Sequence, residues 1–74
     1  EPVAGMSVTE RKKTAELLRT ITQDHTVLVI ERDMQFVGDI ADRVTVMHQG
    51  KVLSEGSIEH VKSDPKVIEV YLGH

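Results

Sequence analysis

Three charged residues in a row, Glu31-Arg32-Asp33, follow the compact apolar run Thr26-Val27-Leu28-Val29-Ile30. A guanidinium between two carboxylates, placed where a buried strand gives way to a helix, could handle an anion. In α/β sheets, ligands sit beyond the carboxyl ends of the strands, and a helix N-terminus at that point favours negative charge. The same three residues could equally be a solvated loop carrying a helix cap. On local evidence the two readings stay open.

Other candidate chemistry is weaker. His25, His48, His60 and His74 have no short ligand spacing and fall on four different elements, so no metal site is expected. The chain has no cysteine, which rules out disulfides and thiolate sites and is compatible with a reducing compartment. Arg11-Lys12-Lys13 is the basic cluster, and a solvated helix face accounts for it. With a formal net charge of −3 the chain is not expected to bind nucleic acid, which needs clustered Lys and Arg against phosphates. No Ser/His/Asp or paired-carboxylate arrangement is spaced for other catalysis.

The elements that would position Glu31, Arg32 and Asp33 can be read from caps and periodicity. Ser7-Val8-Thr9-Glu10 has the form of a capping box. The helix after it, about 8–22, carries Thr14, Leu17, Leu18 and Ile21 as an apolar stripe. The β-branched, unalternating run 26–30 predicts a strand buried on both faces. Asp33 caps a second helix, 33–41, with Phe36, Val37 and Ile40 on one side. Strands 43–48 and 51–55 flank Gln49-Gly50, a hairpin turn in which glycine supplies positive φ. Ser57 caps a short helix, 57–63. Asp64-Pro65 opens the last helix, 65–72, which Gly73 stops.

This order predicts an α/β class with three strands and four helices, and a right-handed crossover from strand 26–30 to strand 43–48. At 74 residues the chain is one small domain or a piece of a larger one. A domain of this size buries only ~60–65% of its unfolded surface. Phe36 and Tyr71 are its two aromatics, so Val, Ile, Leu and Met must make the core. No run approaches the ~20 apolar residues of a membrane span. The opening Glu1-Pro2 resembles no signal peptide and lacks an initiator Met, so the chain is expected to be cut from something longer.

The segments EPVAGMS, TERKKTAELLRTI, TVLVIERDM, ADRVTVMHQGKVLSEGS and DPKVIEVYLG together resemble the closing part of an ABC-transporter ATP-binding subunit, from Glu1 to Gly73. The ending VIEVYLG resembles the importers of branched-chain amino acids, amides and urea. The resemblance implies a fragment of a P-loop NTPase-like nucleotide-binding domain. In it, residues 1–7 are the end of Walker B and the D-loop, 26–34 the switch or H-loop segment, and 43–74 the closing hairpin and helices. Glu1 matches the Walker B glutamate, a general base toward the attacking water. Val3, Ala4, Gly5, Met6 and Ser7 match the D-loop at the interface of the ATP-bound dimer. Arg32 stands at the switch position, where the family normally has a histidine that contacts the γ-phosphate. Arginine is longer, permanently charged and has no neutral tautomer, so the substitution bears on hydrolysis more than on binding.

The resemblance also implies ATP and Mg2+ as cofactors of the parent protein, with a second ATPase subunit and a membrane permease as partners. It places the parent on the cytoplasmic face of the plasma membrane. The chain itself has no Gly-x-x-x-x-Gly-Lys-Ser/Thr phosphate loop, no Walker B aspartate and no signature motif. Alone it is therefore expected neither to hydrolyse ATP nor to hold it tightly, a non-catalytic interaction module being the alternative reading. Strand 26–30, deprived of the two strands that flank it in the family's sheet, is expected to pair with strand 43–48 or between chains.

Overall fold

The computed structural model describes residues 1–72, which form two compact units, Glu1–Ile40 and the part from Ala41 onward. In the first unit α1 spans Val8–Ile21 and α2 spans Met34–Ile40. The expected capping box starts α1. Ser7 Oγ accepts from the Glu10 N–H at 3.2 Å, and the Glu10 carboxylate accepts from the Ser7 N–H at 2.9 Å. That Ser7 N–H, and then the Ser7 hydroxyl, hold the exposed Glu10 carboxyl below its ordinary pKa.

The inward face of α1 differs from the expected stripe. Ala15 is buried and Leu18 packs beside it, whereas Leu17 is 59% exposed. A small side chain at the contact lets Phe36 of α2 come close, and large residues at the flank then have no partner to cover them. Val3, Ala15 and Phe36 form the buried centre of this unit, with Met6, Leu18, Val29 and Ile40 packed against it.

Residues 26–30 do not form the expected strand. They run extended without ladder partners, so the described sheet has two strands and no β-α-β crossover, and 26–30 does not pair with 43–48. The run is not buried on both faces either. Val27 and Val29 are half-buried, while Leu28 and Ile30 are 88% and 76% exposed. A β-branched run favours extended backbone, but a strand exists only where a neighbour supplies the hydrogen bonds.

In the second unit β1, Val44–His48, pairs antiparallel with β2, Lys51–Gly56. Gln49 and Gly50 both take positive φ, 51° and 77°, as a two-residue turn matched to strand twist requires. The register shifts between Val46 and Met47, leaving Leu53 as the extra residue of a bulge. α3, Ile58–Ser63, starts at Ser57, whose hydroxyl accepts from the His60 N–H at 3.1 Å. α4, Pro65–Val67, starts at Asp64, whose carboxylate accepts from the Lys66 N–H at 2.9 Å.

The expected single α-helix 65–72 is instead this short α-turn followed by a π-helical turn, Ile68–Leu72. The wider turn accompanies a hydrogen bond from the Tyr71 hydroxyl to the Met47 carbonyl and an edge-on contact of Tyr71 with His48 at 6.3 Å. Val44, Val46, Val61 and Val67 are buried in this unit, so one face of the hairpin is apolar and covered. The helix stop expected at Gly73 lies outside the described residues. Among the described residues, no helix is long and apolar enough to cross a membrane.

Candidate functional site

The segment 31–33 separates its three charges into three roles. Glu31 is half-buried and turned back on the backbone. Its Oε1 accepts from the Val3 N–H at 3.3 Å, and its Oε2 accepts from the N–H groups of Arg32 and Asp33 at 3.0 and 3.1 Å. Burial raises the Glu31 pKa, but these backbone donors, Asp33 first, and the N-terminal ammonium outweigh it and bring the value below the ordinary carboxylate range. Glu31 thus clasps the 1–7 segment to the end of the extended run.

Asp33 caps α2, as its position suggested. Its Oδ1 accepts from the Phe36 N–H at 3.1 Å and its backbone carbonyl from the Val37 N–H at 3.0 Å. Its Oδ2 forms an ion pair with the Arg11 guanidinium from α1. Nothing in the spacing of Arg11 and Asp33 reveals that pair, because it depends on how the two helices pack. Arg11 Nε is buried without a partner, so the fit of that side chain is incomplete.

Arg32 is the member left for other work. It is exposed, and among the described residues its side chain makes no hydrogen bond or ion pair. Both neighbouring carboxylates are committed elsewhere, so neither neutralises it.

The residues preceding α1 divide between core and surface. Val3 is 1% exposed and lies at the centre of the first unit's core. Ala4 and Gly5 are exposed, and Met6 is half-buried with its thioether 3.5 Å from the Thr14 hydroxyl. Gly5 takes φ +75° with open space around it, so the backbone conformation rather than crowding calls for glycine. Glu1 is exposed, and its carbonyl accepts from the Ala4 N–H at 3.4 Å. Glu31 accepts from both Val3 and Arg32, but among the described residues no hydrogen bond or ion pair joins Glu1 to Arg32.

His25 contacts the Asp24 carboxylate at 2.7 Å, His48 meets Tyr71, and the backbone N–H of His60 donates to the Ser57 hydroxyl that caps α3. These three are on separate elements, and His74 lies outside the described residues.

A family model of the branched-chain amino acid ATP-binding cassette transporter matches residues 51–74. The high-affinity branched-chain amino acid transport ATP-binding protein LivG of Escherichia coli (strain K12) is 41% identical over 75 residues, covering 99% of this chain. The chain belongs to the ABC-transporter ATP-binding proteins of the branched-chain amino-acid type and corresponds to their C-terminal part.

The corresponding protein BraF of Pseudomonas aeruginosa is 39% identical over the same share of this chain. The glutathione import ATP-binding protein GsiA of Salmonella choleraesuis is 37% identical over 67 residues, 88% of this chain and 11% of its own length. The chain spans 29% of the length of LivG and of BraF. No solved structure matches it.

The sequence has no phosphate loop. The groove between α1 and α2, lined by Val8, Arg11, Asp33 and Phe36 among others, holds about 100 Å³, against the ~300–1,000 Å³ of small-molecule pockets. Of its four charged side chains, Arg11, Lys12, Asp33 and Asp39, Arg11 and Asp33 are paired with each other.

Proposed function

We propose that this chain is the C-terminal part of the ATP-binding, ATP-hydrolysing subunit of an ABC importer. The observation that carries the reading is the 41% identity to LivG over 99% of the chain. The solute class is branched-chain amino acids, amides or urea, and the names of LivG and BraF favour the first. The parent uses ATP and Mg2+, pairs with a second ATPase subunit, and docks on a membrane permease at the cytoplasmic face. In that reading residues 1–7, 26–34 and 43–74 are the Walker B end with D-loop, the switch segment, and the closing hairpin and helices of one truncated domain.

Within the parent, Glu1 is the general base and Arg32 the switch residue, with Val3 to Ser7 at the dimer interface. The exposed, unneutralised guanidinium of Arg32 supports an anion-facing role, and the commitment of Glu31 and Asp33 leaves that role to Arg32 alone. The isolated chain is inactive, for want of a phosphate loop.

The test is Mg2+-dependent ATP hydrolysis and fluorescent-nucleotide binding by the purified 74-residue chain, with Glu1→Gln beside it. Neither activity is expected. Hydrolysis that survives Glu1→Gln would overturn the assignment of roles. Sequencing the coding region upstream of Glu1 tests the parent: an apolar strand ending in Asp, with a phosphate loop before it, is expected there.

A second reading, the non-catalytic interaction module, is favoured by the exposure of Leu28 and Ile30. It predicts a start codon just before Glu1. On either reading, the isolated chain self-associates through an exposed strand edge.

A further inference from the structure

One carboxylate links residues 1–5 by hydrogen bond to a distant part of the chain. The other backbone bonds of this stretch are local, from the Ala4 N–H to the Glu1 carbonyl at 3.4 Å and from the Met6 N–H to the Val3 carbonyl at 3.0 Å. Among the described residues, the bond that leaves the stretch runs from the Val3 N–H to Glu31 Oε1, at 3.3 Å and across 28 positions. The second oxygen, Oε2, accepts from the Arg32 and Asp33 N–H groups. Val3 is buried in the core with Ala15 and Phe36, so the carboxylate joins an anchored backbone to the one that carries Arg32.

We propose that Glu31 is a positioning residue, which passes displacements of Val3–Ser7 to the backbone of Arg32 and so sets where that guanidinium points. This rests on the reading proposed above, in which Val3 to Ser7 lie at the dimer interface and Arg32 faces an anion, and it adds the connection between them. The two oxygens of Glu31 are occupied by three backbone donors. Glu31 therefore acts through Arg32 and not on the anion itself.

The backbone around Arg32 is fixed on both sides. Its own N–H lies on Oε2 at 3.0 Å and that of Asp33 at 3.1 Å, while the Asp33 carboxylate caps the Phe36 N–H and pairs with Arg11. The Arg32 side chain has no partner among the described residues, so no rival contact holds it against its backbone. Carboxylate reach is the second requirement. Glutamate spans the two segments because each oxygen faces one of them, and aspartate is one methylene, about 1.5 Å, shorter. An aspartate can still accept from the N–H two residues on, here that of Asp33, but its oxygens withdraw from Val3. Glu31→Asp thus keeps the charge and the local turn while cutting the long-range link.

Backbone amide NMR of the 74-residue chain reads the link directly. As pH falls through the titration of Glu31, the Val3, Arg32 and Asp33 amide signals should move together with one midpoint. Glu31→Asp should remove the response at Val3 and keep it at Asp33. Straining the far end then reads transmission. Gly5 has φ +75° and open space around it, so Gly5→Ala strains this turn without a clash. The Arg32 and Asp33 amides should shift with Gly5→Ala, and stay in place when the same change is made in Glu31→Asp. A far-UV spectrum unchanged from the wild-type chain confirms folding of each variant. Arg32 and Asp33 amides that ignore Gly5→Ala, or move equally in the Glu31→Asp background, overturn the proposal.

In the full-length subunit the consequence is a split in steady-state ATP hydrolysis. Glu31→Asp should lower kcat about tenfold per folded molecule and leave KM within about twofold, because a misplaced group costs transition-state stabilisation and not substrate binding. A purely structural Glu31 would instead lower the folded fraction and leave kcat per folded molecule unchanged. That result overturns the positioning role. A full-length subunit that hydrolyses no ATP overturns the reading of function, while the amide shifts of the 74-residue chain still decide the link.

Discussion

Replacing Glu31 by Gln should loosen the attachment of residues 1–7 to the switch segment. The carboxylate accepts three backbone N–H groups, at 3.3, 3.0 and 3.1 Å. Hydrogen bonds to a charged group contribute ~1.5–3 kcal/mol net and neutral ones ~0.5–1.5. Glutamine keeps one acceptor oxygen, which can serve Arg32 and Asp33, but turns an amide NH2 toward the Val3 N–H. The loss is therefore charge assistance at two bonds and the whole of the third. The site is only half-buried and water can take up freed donors, which discounts the sum to about 1–2 kcal/mol. With a urea m-value of ~1 kcal/mol/M for so small a chain, the midpoint should fall by roughly 1–2 M.

Urea unfolding at pH 7 measures that fall, and hydrogen exchange at Val3, Arg32 and Asp33 locates it. The folded pKa of Glu31 is lowered. The wild-type advantage is thus fully present above the unfolded value of ~4.3 and is lost as pH falls through the lower folded value. Coincident midpoints at pH 7, or a gap as wide at pH 3 as at pH 7, would refute the clasp.

Phe36→Ala removes the largest buried side chain of the first core and should cost about 3–5 kcal/mol, read as lost exchange protection in α1 and α2. Asp33→Ala removes both the α2 cap and the partner of Arg11, whereas Arg11→Ala removes only the pair. Thermal melts should therefore rank Asp33→Ala as the more damaging, by the ~1 kcal/mol of a cap. Gly50 has φ +77° and open space around it, so Gly50→Ala should cost about 1–2 kcal/mol from backbone conformation alone. A smaller cost than Asp33→Ala with an unchanged spectrum is the expected result in a melt.

Much of the local architecture was legible before any coordinates. Ser7 with Glu10, Asp33, Ser57 and Asp64 with Pro65 announced four helix starts, and Gln49-Gly50 announced the hairpin. Each of these signals is complete within about four residues, so the chain needs nothing distant to honour it. The chemical singularity of Arg32 was also visible, because it lies in the motif itself.

Other features depended on the tertiary structure. Thr26–Ile30 carries strong strand propensity, yet no ladder forms, because a strand's hydrogen bonds belong to a neighbour that local sequence cannot supply. Leu17 is apolar and exposed while Ala15 is buried, because the approach of Phe36 sets which face of α1 turns inward. Glu31 became a clasp and Arg11 the partner of Asp33 only once residues 28 and 22 positions apart were brought together. Those assignments come from packing, and packing is also what leaves Arg32 free to meet another charge.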